Sequence, residues 1–140
     1  MGSHDDYGKA VLRLADHAIE LDGPAVTVDL GGGGTARIDG ALGTRIAIEI
    51  EARTPKQVRG AILDLLMHNA PKKLLILVPR NMHNPQACRK HCSNILSHFL
   101  PCHDYRVVLL EGTGEAHQHE LDALIVRRAL VDLGMATCLT

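Results

Sequence analysis

Isoleucines at 46, 48 and 50 alternate with Ala47, Glu49 and Glu51 in the stretch RIAIEIEART. That period of two predicts a strand over Arg45–Glu51 with an apolar face and a second face carrying two carboxylates. From Asp5 to Leu21 apolar residues recur at Val11, Leu12, Leu14, Ala15, Ala18 and Ile19, a helical rhythm that Gly23-Pro24 ends. AVTVDL (Ala25–Leu30) alternates and reads as a strand; Gly31 to Gly34 turn the chain, TARID (Thr35–Asp39) returns, and GALGT (Gly40–Thr44) turns it again. Thr54, Pro55 and Gln57 open a helix as cap, first position and capping box, and Val58, Ala61, Ile62, Leu65 and Leu66 form its apolar stripe. The unbroken run from Lys73 to Pro79 suits a central strand covered on both faces. A helix over Asn84–Leu100, a strand over Tyr105–Gly112 and a helix over His119–Leu133 complete the order α-β-β-β-α-β-α-β-α. The fold class expected is α/β: a three-strand antiparallel meander extended into a mixed central sheet flanked by helices. With no repeat and no dividing linker, residues 1–140 read as a single domain. The isoleucine face of Arg45–Glu51 is expected to pack against the helix that follows it.

Composition narrows the classes. At 46% hydrophobic residues the chain is globular, and no apolar run reaches the ~18–20 residues of a membrane helix. The absence of a basic segment leading into an apolar one argues against a secretory signal, and four cysteines with three crowded together argue for reduced thiols; both suggest a cytoplasmic protein. Tyr7, Phe99 and Tyr105 are the only aromatics, too few for a platform that stacks single-stranded bases. The net charge of −1 conceals a polarity: residues 45–90 hold nine basic and three acidic side chains, while both flanks are acidic. A basic middle containing Arg53, Lys56, Arg59 and Arg80 fits contact with nucleic-acid phosphates, and fits a solvated helix face nearly as well.

The two glutamates carry the chemistry. On one strand face they stand ~6.5–7 Å apart, and like charges at that spacing call for a cation, an arginine or open water between them. Arg37 and Asp39 share a face of the preceding strand, so pairing of the two strands would set Asp39 beside Glu49. Hard oxygen ligands from adjacent strands suit Mg²⁺ or Mn²⁺. The competing reading is a wet sheet face with the glutamates paired to Arg37, Arg45 or Arg53.

RIDGALGTRIAIEIEART followed by PKQVRGAILDLL resembles the core of the PD-(D/E)xK nuclease superfamily, which includes restriction endonucleases and Holliday-junction resolvases; the likeness runs from about Asp5 to Pro79. The resemblance implies a restriction-endonuclease-like fold and metal-dependent phosphodiester hydrolysis on DNA. Asp39 matches the motif's Asp and Glu49 its Glu, while Glu51 falls where the Lys usually stands and Ile38 replaces the usual proline. Some restriction-type members carry Glu at the Lys position. The family also uses an acid from the first helix, a role open to Glu20 or Asp16, and places polar residues near the substrate where Gln57 and Arg59 lie. The implied metal set is Asp39, Glu49, Glu51 and Glu20. A separate reading domain is absent, so a homodimer or a partner protein would supply recognition.

Two rival functions stand beside this one. The fold could serve as a binding or assembly protein without catalysis. Alternatively, Cys88 and Cys92, one helical turn apart, could hold Zn²⁺ with Cys102 or His98 in a small regulatory domain; the spacing lacks paired C-x-x-C hooks, and helical cysteines commonly behave as small buried hydrophobes. The four glycines lack the Lys-Ser/Thr ending of a phosphate loop and lead into a strand, which favours a hairpin turn.

Overall fold

The structure, a computed structural model, describes residues 3–52, 55–112 and 116–134. Among the described residues the α/β architecture has four α-helices, a four-stranded mixed sheet and a separate antiparallel pair. The elements are α1 (Ser3–Ala15), β1 (Thr27–Gly31), β2 (Gly34–Arg37), β3 (Gly40–Leu42), β4 (Ile46–Glu51), α2 (Pro55–Met67), β5 (Lys72–Leu77), α3 (Pro85–Ser97), β6 (Tyr105–Leu109) and α4 (Ala116–Asp132). The sheet order is β3-β4-β5-β6, with β3 antiparallel to β4 and β4, β5 and β6 mutually parallel.

Three expectations need correcting. The first helix stops at Ala15 rather than Leu21, because Asp16 accepts the Ala18 amide at 2.9 Å in a local turn that competes with the helix. The segment Gly40–Thr44 is not simply a turn: Gly40–Leu42 is a strand. The meander is therefore broken. β2 pairs with β1 as far as Arg37, the Ile38 amide still reaches Val26, and the next amide, Asp39, already donates to Ile48 of β4. The chain switches partner at that bend, leaving the glycine-rich hairpin outside the main sheet.

The third correction concerns faces. Ile46, Ile48 and Ile50 do not meet α2. With Leu74, Ile76 and Val78 they pack against α1 and α4, through Tyr7, Val11, Leu12, Val126 and Leu130. The α2 stripe of Val58, Ala61, Ile62 and Leu65 covers the opposite face with α3, over Ala47, Leu75 and Leu77. Parallel strands need crossover helices, and α2 and α3 both return over the same side. The expected central position of Lys73–Pro79 holds for its strand part: β5 lies between β4 and β6 and Leu74 to Val78 are all buried, while the strand ends at Leu77 and half-buried Pro79 opens a short turn.

Polar ties lock the layers. Asp122 of α4, fully buried, accepts the Glu111 and Gly112 amides at 2.8 and 3.0 Å and the Tyr7 hydroxyl of α1. The Tyr7 ring in turn lies against His119, with centroids 4.4 Å apart. On the other side, His68 at the end of α2 accepts the Ala70 amide at Nδ1, so Nε2 carries the proton that meets the Ala25 carbonyl at 2.7 Å. Among the described residues no helix is long and apolar enough to cross a membrane.

Candidate functional site

The face of β4 that carries the glutamates lies beneath α2, so neither is wet. Glu49 is 7% exposed and Glu51 4%. The reading of an open polar sheet face fails on this burial, and Arg37 is instead paired with Asp22 on the hairpin side.

The partner switch after β2 brings Asp39 onto Glu49. Glu49 Oε1 accepts the Asp39 amide at 2.9 Å, and Asp39 Oδ2 accepts the Ile50 amide at 2.7 Å. Each carboxyl thus accepts a backbone amide from beside the other. The two carboxyl groups face each other, which disfavours charge on both at once. Burial first, then the charge and hydrogen bond of Asp39 and the charge of Asp64, push the Glu49 carboxyl up to about 10; the Asp39 amide works in the other direction. Glu49 is therefore a neutral acid at pH 7.

Asp64, on α2 and half-buried, faces the same pair, and burial followed by the Asp39 charge raises its pKa. Sequence reasoning passed over it. The available signal was a lone acid between Ile62 and Leu65 on a helix whose other charges, Lys56 and Arg59, are basic. Of the other expected ligands, Glu51 lies two residues further along β4, where Oε2 accepts the Ala52 amide at 3.0 Å. Glu20 is exposed and receives the Ala25 amide at 3.2 Å; the charges that act on Glu49 come from Asp39 and Asp64. Among the described residues no three carboxylate, imidazole or thiol groups converge into a ready cage for a metal ion.

Lys56, Gln57 and Arg59 are exposed on the first turns of α2, and Arg80 is exposed just beyond β5. They gather at the ends of β4 and β5 toward which Glu49 and Glu51 lie. Arg53 and Thr54, and with Thr54 the expected capping box, lie outside the described residues. In α3, Cys88 and Cys92 face the core against β5 and β6, and burial with the adjacent Cys88 pushes the Cys92 thiol up to about 12. Cys102 is exposed, and His98 Nδ1 meets the Asn94 carbonyl at 2.8 Å.

Compared with protein-family models, curated proteins and solved structures, the chain matches none.

Proposed function

We propose that this chain hydrolyses phosphodiester bonds in DNA with the help of Mg²⁺ or Mn²⁺, as its resemblance to the PD-(D/E)xK superfamily implies. The observation that carries the reading is the Asp39–Glu49 pair: a half-buried carboxyl from the bend before β3 and a buried one from β4, each accepting a backbone amide from beside the other. Burying two acids side by side disfavours their charged forms, and a divalent cation relieves what the proton now relieves. The donor set fits. Mg²⁺ keeps several waters and needs only one or two carboxylates from the protein, and Asp39 and Glu49 would supply them, with Asp64 adding negative potential. Bound there, the cation would orient a water and neutralise charge on a phosphoryl group.

Glu51 occupies the place of the family's lysine. A carboxylate can take a proton from water but cannot donate to a phosphate once ionised. Phosphate contacts fall to Lys56, Arg59 and Arg80, which rim the same end of the sheet.

Mn²⁺ titration by calorimetry at pH 7, in two buffers of different ionisation enthalpy, tests the site. Binding should release close to one proton per chain and raise the melting temperature, and Glu49→Gln should remove both effects along with cleavage of branched or duplex DNA. Binding of DNA should weaken steeply with salt, and Lys56→Glu with Arg59→Glu should abolish its retention in a mobility assay. No proton release and no thermal shift would sink the metal site.

A second reading has its own support. Glu51 is buried and accepts the Ala52 amide, and a proton held on Glu49 already relieves the pair, as a fold retained for binding alone would require. Retention of DNA without metal binding or cleavage selects that reading.

A further inference from the structure

The two edges of the main sheet are finished differently. At β3 the edge is covered, because Glu20 and Ala41 exchange backbone hydrogen bonds at 2.8 and 2.9 Å. At β6 no described strand pairs with the outer side. Leu110 donates its amide inward to Leu77, and since successive residues of a strand alternate, Val107 and Leu109 direct their amides and carbonyls off the sheet. β6 has no proline and a single charge, Arg106, so it lacks the usual protection of an edge.

Beside this edge runs a groove of 370 Å³ between β6 and α4, with Val108, Leu124, Ile125 and Ala129 along its floor and Arg106, Arg128 and Asp132 at one end. Leu121 and Leu124 are 50% and 55% exposed, large values for leucines on adjacent turns. The charges along the groove are polarised. α4 runs antiparallel to β6: the Glu111 amide after β6 is bound by Asp122 early in α4, while Arg106 at the start of β6 approaches Asp132 at the end of α4, at 3.9 Å. Exposed Glu111 and Glu120 therefore lie beyond one end of the groove, and at the other Arg106 and Arg128 flank Asp132, at 3.9 and 3.8 Å, which leaves that end with one net positive charge. Glu120, Leu124 and Arg128 stand four residues apart in one row, so the helix presents acid, leucine and base in line.

From this we infer that the β6 edge and the α4 groove form a two-fold interface with a second copy of this chain. Two identical strands meeting edge to edge across a two-fold axis must run antiparallel, and the same axis sets α4 antiparallel to its mate. The acidic end of each groove then faces the basic end of the other, with Leu124 near the axis and Leu121 beside it. A partner of uniform charge would match only half of the surface. The pairing extends the four-stranded sheet across the dimer and satisfies the outward groups of Val107 and Leu109. It does not depend on the nuclease reading, since the Asp39–Glu49 pair belongs to β4 and the bend before β3.

Sedimentation of the full chain between about 1 and 200 µM tests the interface. The wild type should form dimers, and Leu124→Lys should leave monomers with an unchanged circular-dichroism spectrum. Glu120→Lys and Arg128→Glu should each weaken association about tenfold, while the double reversal restores it, because each new lysine meets a new glutamate across the axis. Within one chain these two side chains lie two helical turns apart, about 12 Å, too far to compensate each other. A wild type that stays monomeric throughout, a dimer indifferent to Leu124→Lys, or a double reversal no better than the single ones would each overturn the inference.

Discussion

Glu49 shows how strongly position can override the chemistry of a free side chain. Its ordinary pKa of 4.5 rises to about 10 because its carboxyl is buried beneath α2 and faces the carboxyl of Asp39. The folded chain therefore holds a proton that the unfolded chain releases between those values. That stability is fully present below pH 4.5 and declines as pH rises toward 10. Lys73 acts with the opposite sign. Burial pushes it down to about 8 from 10.5, so its contribution grows as pH rises through that window and is absent below it. Between about pH 5 and 8 the Glu49 effect is isolated from Lys73. Over that range the urea midpoint of the metal-free wild type should fall with rising pH more steeply than that of Glu49→Gln. Parallel slopes would show that Glu49 is ionised in the fold.

Elements in this protein are placed by small residues as much as by large ones. Gly8 lets α1 lie directly on β4: a Cβ there would meet Ile50 Cδ1 and Cγ2 at 2.8 Å. Gly60 on the exposed side of α2 has open space around it. The two glycines are thus opposite cases under the same substitution. Gly60→Ala should stabilise by about 0.5–1 kcal/mol through helix propensity. Gly8→Ala gains the same propensity but must displace a buried isoleucine, and overpacking of that kind costs about 1–3 kcal/mol. Urea unfolding of both variants checks the pair, and a Gly8→Ala protein as stable as Gly60→Ala would mean that α1 does not press on β4. Both helices were legible from their apolar spacing, but the need for Gly8 was not, since nothing local to the helix requires it.

At the scale of the whole molecule, two apolar layers lie on either side of one sheet, and the Tyr7–Asp122 contact joins the first helix to the last. The Tyr7 hydroxyl is one of three donors to a fully buried carboxylate, and burial followed by the bond to Asp122 raises its own pKa. Tyr7→Phe leaves the two backbone donors in place and should cost about 1–2 kcal/mol. A loss smaller than about 0.5 kcal/mol, the scatter of neutral surface changes, would show that the two amides suffice for Asp122.

Periodicity in the sequence determined which residues share a face: Glu49 with Glu51, Ile46 with Ile48 and Ile50, Cys88 with Cys92. It also determined that Lys73–Val78 would be buried on both sides, because an unbroken apolar run has no face to offer water. These are properties of single elements, set by backbone geometry within a few residues. Only the tertiary structure decided which side of the sheet each helix would cover. A period of two relates the faces of a strand to each other and says nothing of where the chain goes next, so α2 was free to pass over the glutamates instead of the isoleucines. The same limit hid Asp64, whose closeness to Asp39 depends on that crossover. It hid the open edge of β6 as well, since an edge exists only once strand order is known. Whether two facing acids repel, bind a cation or keep a proton depends on distance and burial; the bend after β2 supplied the first and the packing of α2 over β4 the second.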